Sequence, residues 1–244
     1  MSTVRTGPTW GLIGQFVLLL GLAGTVGLTD AGWLAGLAYG VITAVALSWA
    51  LRGTPARAAG GSGVGLPPGN SVTLVRATLV GGVAALSFDD RVPVRLLVGL
   101  TAAALVLDAV DGYVARRTGT VTALGARFDM EVDASLILVL SVYVARTTGL
   151  WVLAIGLMRY AFVLAMWALP WLRKPVPARR WRKVVAAIQG TVLAVAAADV
   201  LPRPLVAGAL AVSLGLLAWS FGSQAGALWR QRVRAPVPVG PRDT

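Results

Sequence analysis

The sequence predicts an all-α, polytopic integral membrane protein, and three features of the 244-residue chain carry that prediction. Hydrophobic residues make up 57% of the chain, and its mean hydropathy is +0.75. Apolar runs of roughly twenty residues recur along it, which is the length that an α-helix needs to cross the hydrocarbon core of a bilayer. The Lys and Arg residues concentrate between these runs, as they do in membrane proteins.

The order of the apolar runs predicts a six-helix bundle preceded by a two-helix hairpin. We place the helices at residues 10–28, 31–51, 71–88, 93–115, 131–148, 150–170, 184–201 and 204–222. A Gly- and Pro-rich stretch, RGTPARAAGGSGVGLPPG, follows the second helix and indicates a flexible linker. We therefore expect an N-terminal hairpin, a linker, a core and a basic cytoplasmic tail, at residues 1–52, 53–69, 70–222 and 223–244.

The basic residues orient the predicted bundle. With a cytoplasmic N-terminus, sixteen of the 22 Lys and Arg residues fall in inner loops and tails, and three fall in outer loops. This asymmetry follows the positive-inside rule, and it puts both termini in the cytoplasm. We attribute the net charge of +12 to topology and to contact with anionic membrane lipids, not to nucleic acid. The expected location is the inner (cell) membrane of a bacterium.

Four of the ten acidic residues lie in one stretch, LDAVDGYVARRTGTVTALGARFDMEVDAS. Asp108 and Asp111, three residues apart, close the fourth predicted helix, and Asp129 and Asp133, four apart, open the fifth. Each pair shares a helix face, so two facing helices would bring four carboxylates together at the cytoplasmic end. Divalent cations would relieve their mutual repulsion, and a paired metal site suits displacement at phosphorus. Since the chain has no Cys and no His, any metal must be held by oxygen.

Residues around the aspartates also fit phosphate chemistry. Gly112 has no side chain, so a ligand can approach closely there, and Ala115 keeps the same face shallow. Arg116 lies two turns beyond Asp108 and can form a forked contact with a phosphate. Gly125 frees the predicted connecting loop for a close approach.

The spacing D-x2-D-G-x2-A-R-x8-G-x3-D-x3-D is met at every fixed position, and it resembles that of the CDP-alcohol phosphotransferase (CDP-alcohol phosphatidyltransferase) family of membrane enzymes. The resemblance covers residues 68–222. It implies transfer of a phosphatidyl group from CDP-diacylglycerol, or a related CDP-linked donor, to an alcohol, with release of CMP, in phospholipid biosynthesis. It also implies Mg²⁺ or Mn²⁺ as cofactor, with two ions bound, and a homodimer.

The resemblance further implies a role for each matching residue. Asp108, Asp111 and Asp129 would hold the metals. Asp133 would be a further ligand, or the base that takes the proton from the attacking hydroxyl. The stretch NSVTLVR is similar to the opening of the family's first core helix. The nucleotide and its diphosphate would then be lined by Gly112, Ala115, Arg116, Gly125, Asn70, Thr73 and Arg76.

The acceptor alcohol is indicated only indirectly. Arg159 falls near mid-membrane in GLMRYAF, where it either meets a phosphate of the acceptor or pairs within the bundle. The basic run RKPVPARRWRK is first a positive-inside loop, and its rim would also attract an anionic acceptor. Lys183 and Gln189 would then face the pocket. These features favour a phosphorylated polyol, such as glycerol 3-phosphate or inositol phosphate. Glu131 points away from the aspartate face, and we expect it to be solvated.

Two other functions fit the aspartates less well. A carboxylate-lined cation or metal transporter needs acids near the midplane and a path on both sides, yet the outer half of this chain has few acids. A structural Ca²⁺ site would explain the carboxylates but not the Gly-x-x-Ala-Arg spacing beside them.

Overall fold

The computed structural model of this chain describes residues 7–52, 68–89, 91, 93–118, 123–173 and 180–234, and this part is helical without any strand. The eight α-helices are α1 Gly7–Val26, α2 Asp30–Arg52, α3 Pro68–Ser87, α4 Val94–Thr118, α5 Ala123–Thr148, α6 Leu153–Ala168, α7 Arg180–Ala197 and α8 Arg203–Arg234. Two 3₁₀ turns, Leu150–Val152 and Pro170–Arg173, flank α6. The predicted all-α bundle, with a hairpin before a six-helix core, is confirmed.

The surface of the bundle suits lipid. Large apolar side chains point outward, among them Leu34, Trp49 and Trp167, which are 71%, 77% and 75% exposed. In the described part, four helical segments are long and apolar enough to cross a membrane: Pro8–Val26, Asp30–Ala50, Leu150–Ala168 and Arg203–Arg230. α3 and α7 contain shorter apolar stretches, Val72–Ser87 and Val184–Ala197. α4 and α5 are just as long, but they carry the aspartates, which lower their hydropathy.

α3 lies at the centre of the bundle, packed against α1, α2, α4 and α5. Its buried face presents Val80, Val83 and Leu86 at helical spacing. These side chains pack with residues of α4 and α5 that include Leu97 and Leu136. The packing brings α3, α4 and α5 side by side, and these are the three helices that carry the polar residues of the predicted site.

The hairpin is packed closely against α3. Gln15 of α1 is 3% exposed and donates to the carbonyl of Gly36 on α2 at 3.3 Å. Its amide also lies where a side chain at Gly81 of α3 would have to be, so any larger residue there would displace the Gln15 amide. A Cβ at Gly40 of α2 would fall 2.9 Å from Gln15 Cγ. Glycines thus let three helix backbones approach one another, as small residues do in membrane bundles. The linker residues 53–67 lie outside the described part.

The α1–α2 connection, the α3–α4 connection and the end of α5 lie at the same end of the bundle. The carboxylate of Asp89, between α3 and α4, accepts the backbone N–H of Thr29, between α1 and α2, at 2.7 Å. The Arg146 guanidinium, near the end of α5, lies 5.6 Å from the ring centre of Phe88. The aspartates therefore lie at the opposite end, which also carries most of the basic residues in the described part of the chain. This arrangement agrees with the predicted topology, which remains a prediction.

Two helix boundaries differ by more than two turns from those predicted, and the others lie within about one turn. α5 begins at Ala123, against a predicted start at residue 131, because its first two turns hold charged residues and hydropathy does not detect them. Gly125 is therefore part of the first turns of α5 and not of a loop. α8 continues to Arg234, against a predicted end at residue 222, so the first part of the expected tail is helical.

Asp89 joins the hairpin to the core, and we expect Asp89→Asn to lower the thermal stability of the protein. Burial raises the pKa of the Asp89 carboxyl, but the N–H groups of Thr29 and Arg91 outweigh burial and hold it below its ordinary value of 3.8. Because the folded-state pKa is lowered, the stabilisation is present at neutral pH and is lost as pH falls through that lowered value. Losing the charged acceptor costs about 1–3 kcal/mol.

Thermal unfolding in detergent measures this effect, with Asp199→Asn as the matched control. Asp199 is an exposed carboxylate on the α7–α8 connection, and its neutralisation should leave the unfolding temperature unchanged. Equal unfolding temperatures for Asp89→Asn and Asp199→Asn would show that Asp89 does not secure the hairpin.

Candidate functional site

Three of the four predicted carboxylates converge at one point. Asp108 of α4 and Asp129 and Asp133 of α5 each offer an oxygen, and these oxygens lie within 4.8 Å of one another. The two α5 residues are four apart and therefore share a face, which packing turns toward α4. Their side chains are between 34% and 42% exposed, so a ligand can reach them.

Arg76 of α3 occupies the centre of this group. It is 1% exposed, and its guanidinium forms ion pairs with Asp108 at 3.0 Å and with Asp129 and Asp133 at shorter range. Its Nε donates to the carbonyl of Ala104 on α4 at 3.3 Å. A guanidinium can do this because its N–H groups fan out in one rigid plane. Arg76 therefore ties α3, α4 and α5 together at the carboxylates.

Asp111 lies beside the group of three. It interacts electrostatically with both Arg76 and Asp108, but it is not part of the close cluster. Gly112, the next residue, is half-buried. The sequence predicted four carboxylates at one point, and the structure brings three together with the fourth adjacent.

The site carries an excess of negative charge. Four carboxylates and one guanidinium together carry a net charge of −3 when all are ionised. In apolar surroundings, such unbalanced charge is strongly unfavourable unless cations neutralise it. The donor set consists of oxygen alone, which is what Mg²⁺ and Mn²⁺ prefer. The residues present therefore fit a divalent metal site.

Other predicted nucleotide-binding residues lie close to the cluster in sequence and on the helices. Thr73 is 2% exposed and lies one turn before Arg76 on the same face of α3. Gly125 lies one turn before Asp129 on α5. Four more predicted binding residues lie on described helices, but their side chains are outside the described part. They are Asn70, Ala115, Arg116 and Lys183.

Arg159 forms an ion pair with Glu131. The pair joins α6 to α5, and the Arg159 side chain is 25% exposed against 55% for Glu131. Of the two alternatives that the sequence left open for Arg159, the structure shows pairing within the bundle. The Nε of Arg159 is nevertheless buried and has no hydrogen-bond partner among the described residues. A role in binding the acceptor therefore remains a prediction.

Gln189 is held between two helices. It is fully buried, and its amide donates to the carbonyl of Ser213 on α8 at 2.9 Å. The Ser213 hydroxyl in turn donates to the Gln189 side-chain oxygen. The polar atoms of Gln189 thus already have partners on α8, although the sequence predicted that the residue faces a pocket.

Sequence reasoning did not identify two residues that the structure places beside the site. Tyr39 of α2 and Ser135 of α5 share a hydrogen bond of 3.0 Å across the bundle. No local spacing links a residue of the hairpin to α5, so the sequence alone gave no signal for this pair.

The family model for CDP-alcohol phosphatidyltransferase matches residues 68–222 of this chain. The match begins in the first turn of α3, ends within α8, and contains Arg76 and all four aspartates. No curated protein and no solved structure matches the chain. The matched region is more than half of the 244 residues, and the residue spacing had already indicated the same family. The chain therefore belongs to the CDP-alcohol phosphatidyltransferase family.

Proposed function

We propose that the protein transfers a phosphatidyl group from CDP-diacylglycerol, or a related CDP-linked lipid, to an alcohol and releases CMP. The family supports phosphatidyl transfer from a CDP-alcohol. The observation that carries the proposal for this chain is the convergence of Asp108, Asp129 and Asp133 on Arg76, with negative charge in excess. A site of this kind is suited to cations and, through them, to a diphosphate.

The carboxylates would hold the metal, and Asp111, which lies beside them, would help to hold a second ion. Mg²⁺ or Mn²⁺, if bound there, would supply positive charge against the diphosphate and the departing CMP. Arg76 offsets part of the repulsion among the carboxylates and fixes their relative positions.

Asp133 is our candidate for the base. The hydroxyl oxygen of the acceptor attacks the phosphorus that bears the diacylglycerol, and its proton passes to a carboxylate oxygen of Asp133. The bond from that phosphorus to the CMP oxygen breaks, and CMP leaves with the electron pair. A carboxylate is a weak base, so the hydroxyl must already be acidified when it reacts. The motif contains no Ser, Cys or His, which favours a single displacement.

The proposed acceptor is a phosphorylated polyol such as glycerol 3-phosphate or inositol phosphate. Arg159 supports this, because it is a cation near the middle of α6 with one N–H group that has no partner among the described residues. The basic rim that contains Lys183 supports it as well. We also propose that the site and both termini face the cytoplasm and that the protein is a homodimer.

We expect Arg159→Gln to raise the KM for an anionic acceptor about tenfold or more, because a hydrogen bond to a charged group contributes about 1.5–3 kcal/mol. The KM for the donor should not change. Glu131→Gln should lower the acceptor KM or leave it unchanged, since it frees the guanidinium from its ion pair. Arg146→Gln, at the opposite end of the bundle, is the matched control. If Arg159→Gln lowers only thermal stability, the residue serves packing alone.

The proposed function is tested by reconstituting the purified protein in vesicles with CDP-diacylglycerol and Mg²⁺. A panel of alcohols is then supplied. It includes glycerol 3-phosphate, an inositol phosphate, and the same two polyols without their phosphate groups. We expect CMP release only with an acceptor present, and fastest with a phosphorylated one. If no alcohol gives CMP but the vesicles admit divalent cations, the protein is a transporter and the proposal is wrong.

A further inference from the structure

The N-terminal hairpin contacts the helix that carries two of the aspartates. The Tyr39 hydroxyl of α2 lies 3.0 Å from Ser135 Oγ of α5. Arg76 is also near enough to act on this hydroxyl electrostatically. Since Tyr39 lies outside the matched residues 68–222, the family match assigns it no role.

The direction of this hydrogen bond follows from the partners of Ser135. Ser135 Oγ donates to the carbonyl of Val132 at 2.8 Å, and a serine hydroxyl has only one hydrogen to donate. Tyr39 must therefore donate to Ser135. The Val132 carbonyl belongs to the planar peptide group whose N–H is that of Asp133. Two consecutive hydrogen bonds thus run from the hairpin to the backbone at Asp133.

α2 is a firm support for this contact. A Cβ at Gly36, one turn before Tyr39, would lie 3.1 Å from the Cβ of Ala85 on α3, which shows how closely the two helices approach. Gly40, the residue after Tyr39, is packed against Gln15 of α1. Because the α2 backbone is packed closely on both sides of Tyr39, the backbone from which its hydroxyl reaches α5 is held in place.

We propose that Tyr39 is a positioning residue for Asp133, and that the N-terminal hairpin is therefore part of the active site of this enzyme. The inference rests on the proposed transfer reaction. Tyr39 restrains the α5 backbone at the carboxylate that takes the proton, and small displacements of a reacting group reduce rates strongly. The Tyr39 hydroxyl is bonded to Ser135 and not to a carboxylate of the cluster, so we expect donor binding to be unaffected by its loss.

The test compares Tyr39→Phe, Ser135→Ala and the double variant with the wild type in the full-length protein. We expect kcat to fall about tenfold in each single variant, because a displacement of about 1 Å costs up to a hundredfold. The double variant should be no slower than the slower single variant, since both changes break the same connection. Donor KM and Mn²⁺ affinity should match the wild type. Tyr143→Phe is the control. It removes a phenol hydroxyl from the same helix, α5, but at the end away from the aspartates, and it should leave kcat unchanged.

Three outcomes would overturn the inference. The first is an unchanged kcat for Tyr39→Phe. The second is multiplicative losses in the double variant, which would mean that the two hydroxyls act separately. The third is a fall in kcat accompanied by a higher donor KM and a lower unfolding temperature, which would indicate a general structural role. A wild-type protein without transfer activity would instead refute the proposed function, so the two failures are distinguishable.

Discussion

Asp108→Asn and Asp129→Asn should each reduce transfer about a thousandfold or more, which corresponds to about 4 kcal/mol or more of transition-state stabilisation. Each substitution removes one negative charge and one ligand oxygen from a group of three that lie within 4.8 Å. Arg76 keeps its other partners in either variant, so the bundle should still fold. The loss therefore reports on cation binding and not on unfolding.

Chelation provides the matching measurement on the wild type. We expect excess EDTA to abolish CMP release, and added Mg²⁺ or Mn²⁺ to restore it in the wild type but not in the two variants. Asp30→Asn, which neutralises an exposed carboxylate at the other end of the bundle, should keep full activity. Full activity of the wild type in excess EDTA would contradict the metal hypothesis.

Asp133→Asn should reduce kcat about 10²–10⁴-fold while donor binding and at least one metal ion remain. Asp133 lies one turn beyond Asp129 on the same face of α5, and its side chain is 39% exposed, so we expect an acceptor hydroxyl to approach it. Asparagine keeps a side-chain oxygen for the Arg76 guanidinium but cannot take up a proton. The substitution should therefore lower kcat much more than it weakens binding of the donor or the metal.

The deciding comparison is between Asp133→Asn and Asp108→Asn. Binding of a CDP-lipid and of Mn²⁺ is measured at equilibrium for both variants, alongside kcat. If Asp133→Asn binds both nearly as the wild type does, the role of base is supported. If it loses donor and metal as Asp108→Asn does, Asp133 is mainly a ligand, and the acceptor proton must go elsewhere.

The sequence predicted the features that depend on local spacing. The eight helices follow from apolar runs of membrane length, and the sharing of a face by Asp129 and Asp133 follows from helical periodicity alone. The fixed spacing from Asp108 to Asp133 identified the family, and the family match to residues 68–222 confirms it.

The features that depend on how the helices are rotated against one another were not predictable in this way. Hydropathy does not say which face of α3 meets α4 and α5, so the place of Arg76 among the carboxylates emerged only from the structure. The same holds for the hydrogen bond between Tyr39 and Ser135, which are 96 residues apart. The pairing of Arg159 with Glu131 was one of two open alternatives, because a lone arginine in an apolar helix does not reveal its partner.

The most direct test of the central claim follows the phosphorus atom that is transferred. The protein is supplied with Mg²⁺, an acceptor alcohol and CDP-diacylglycerol labelled at the phosphate next to the diacylglycerol. We predict that the label appears in a new lipid joined to the acceptor, with one unlabelled CMP formed for each labelled product, and that Asp129→Asn forms neither. Label in phosphatidic acid whether or not the alcohol is present would show hydrolysis, and label that stays in the donor would show no transfer at all. Either result would contradict the proposed phosphatidyl transfer.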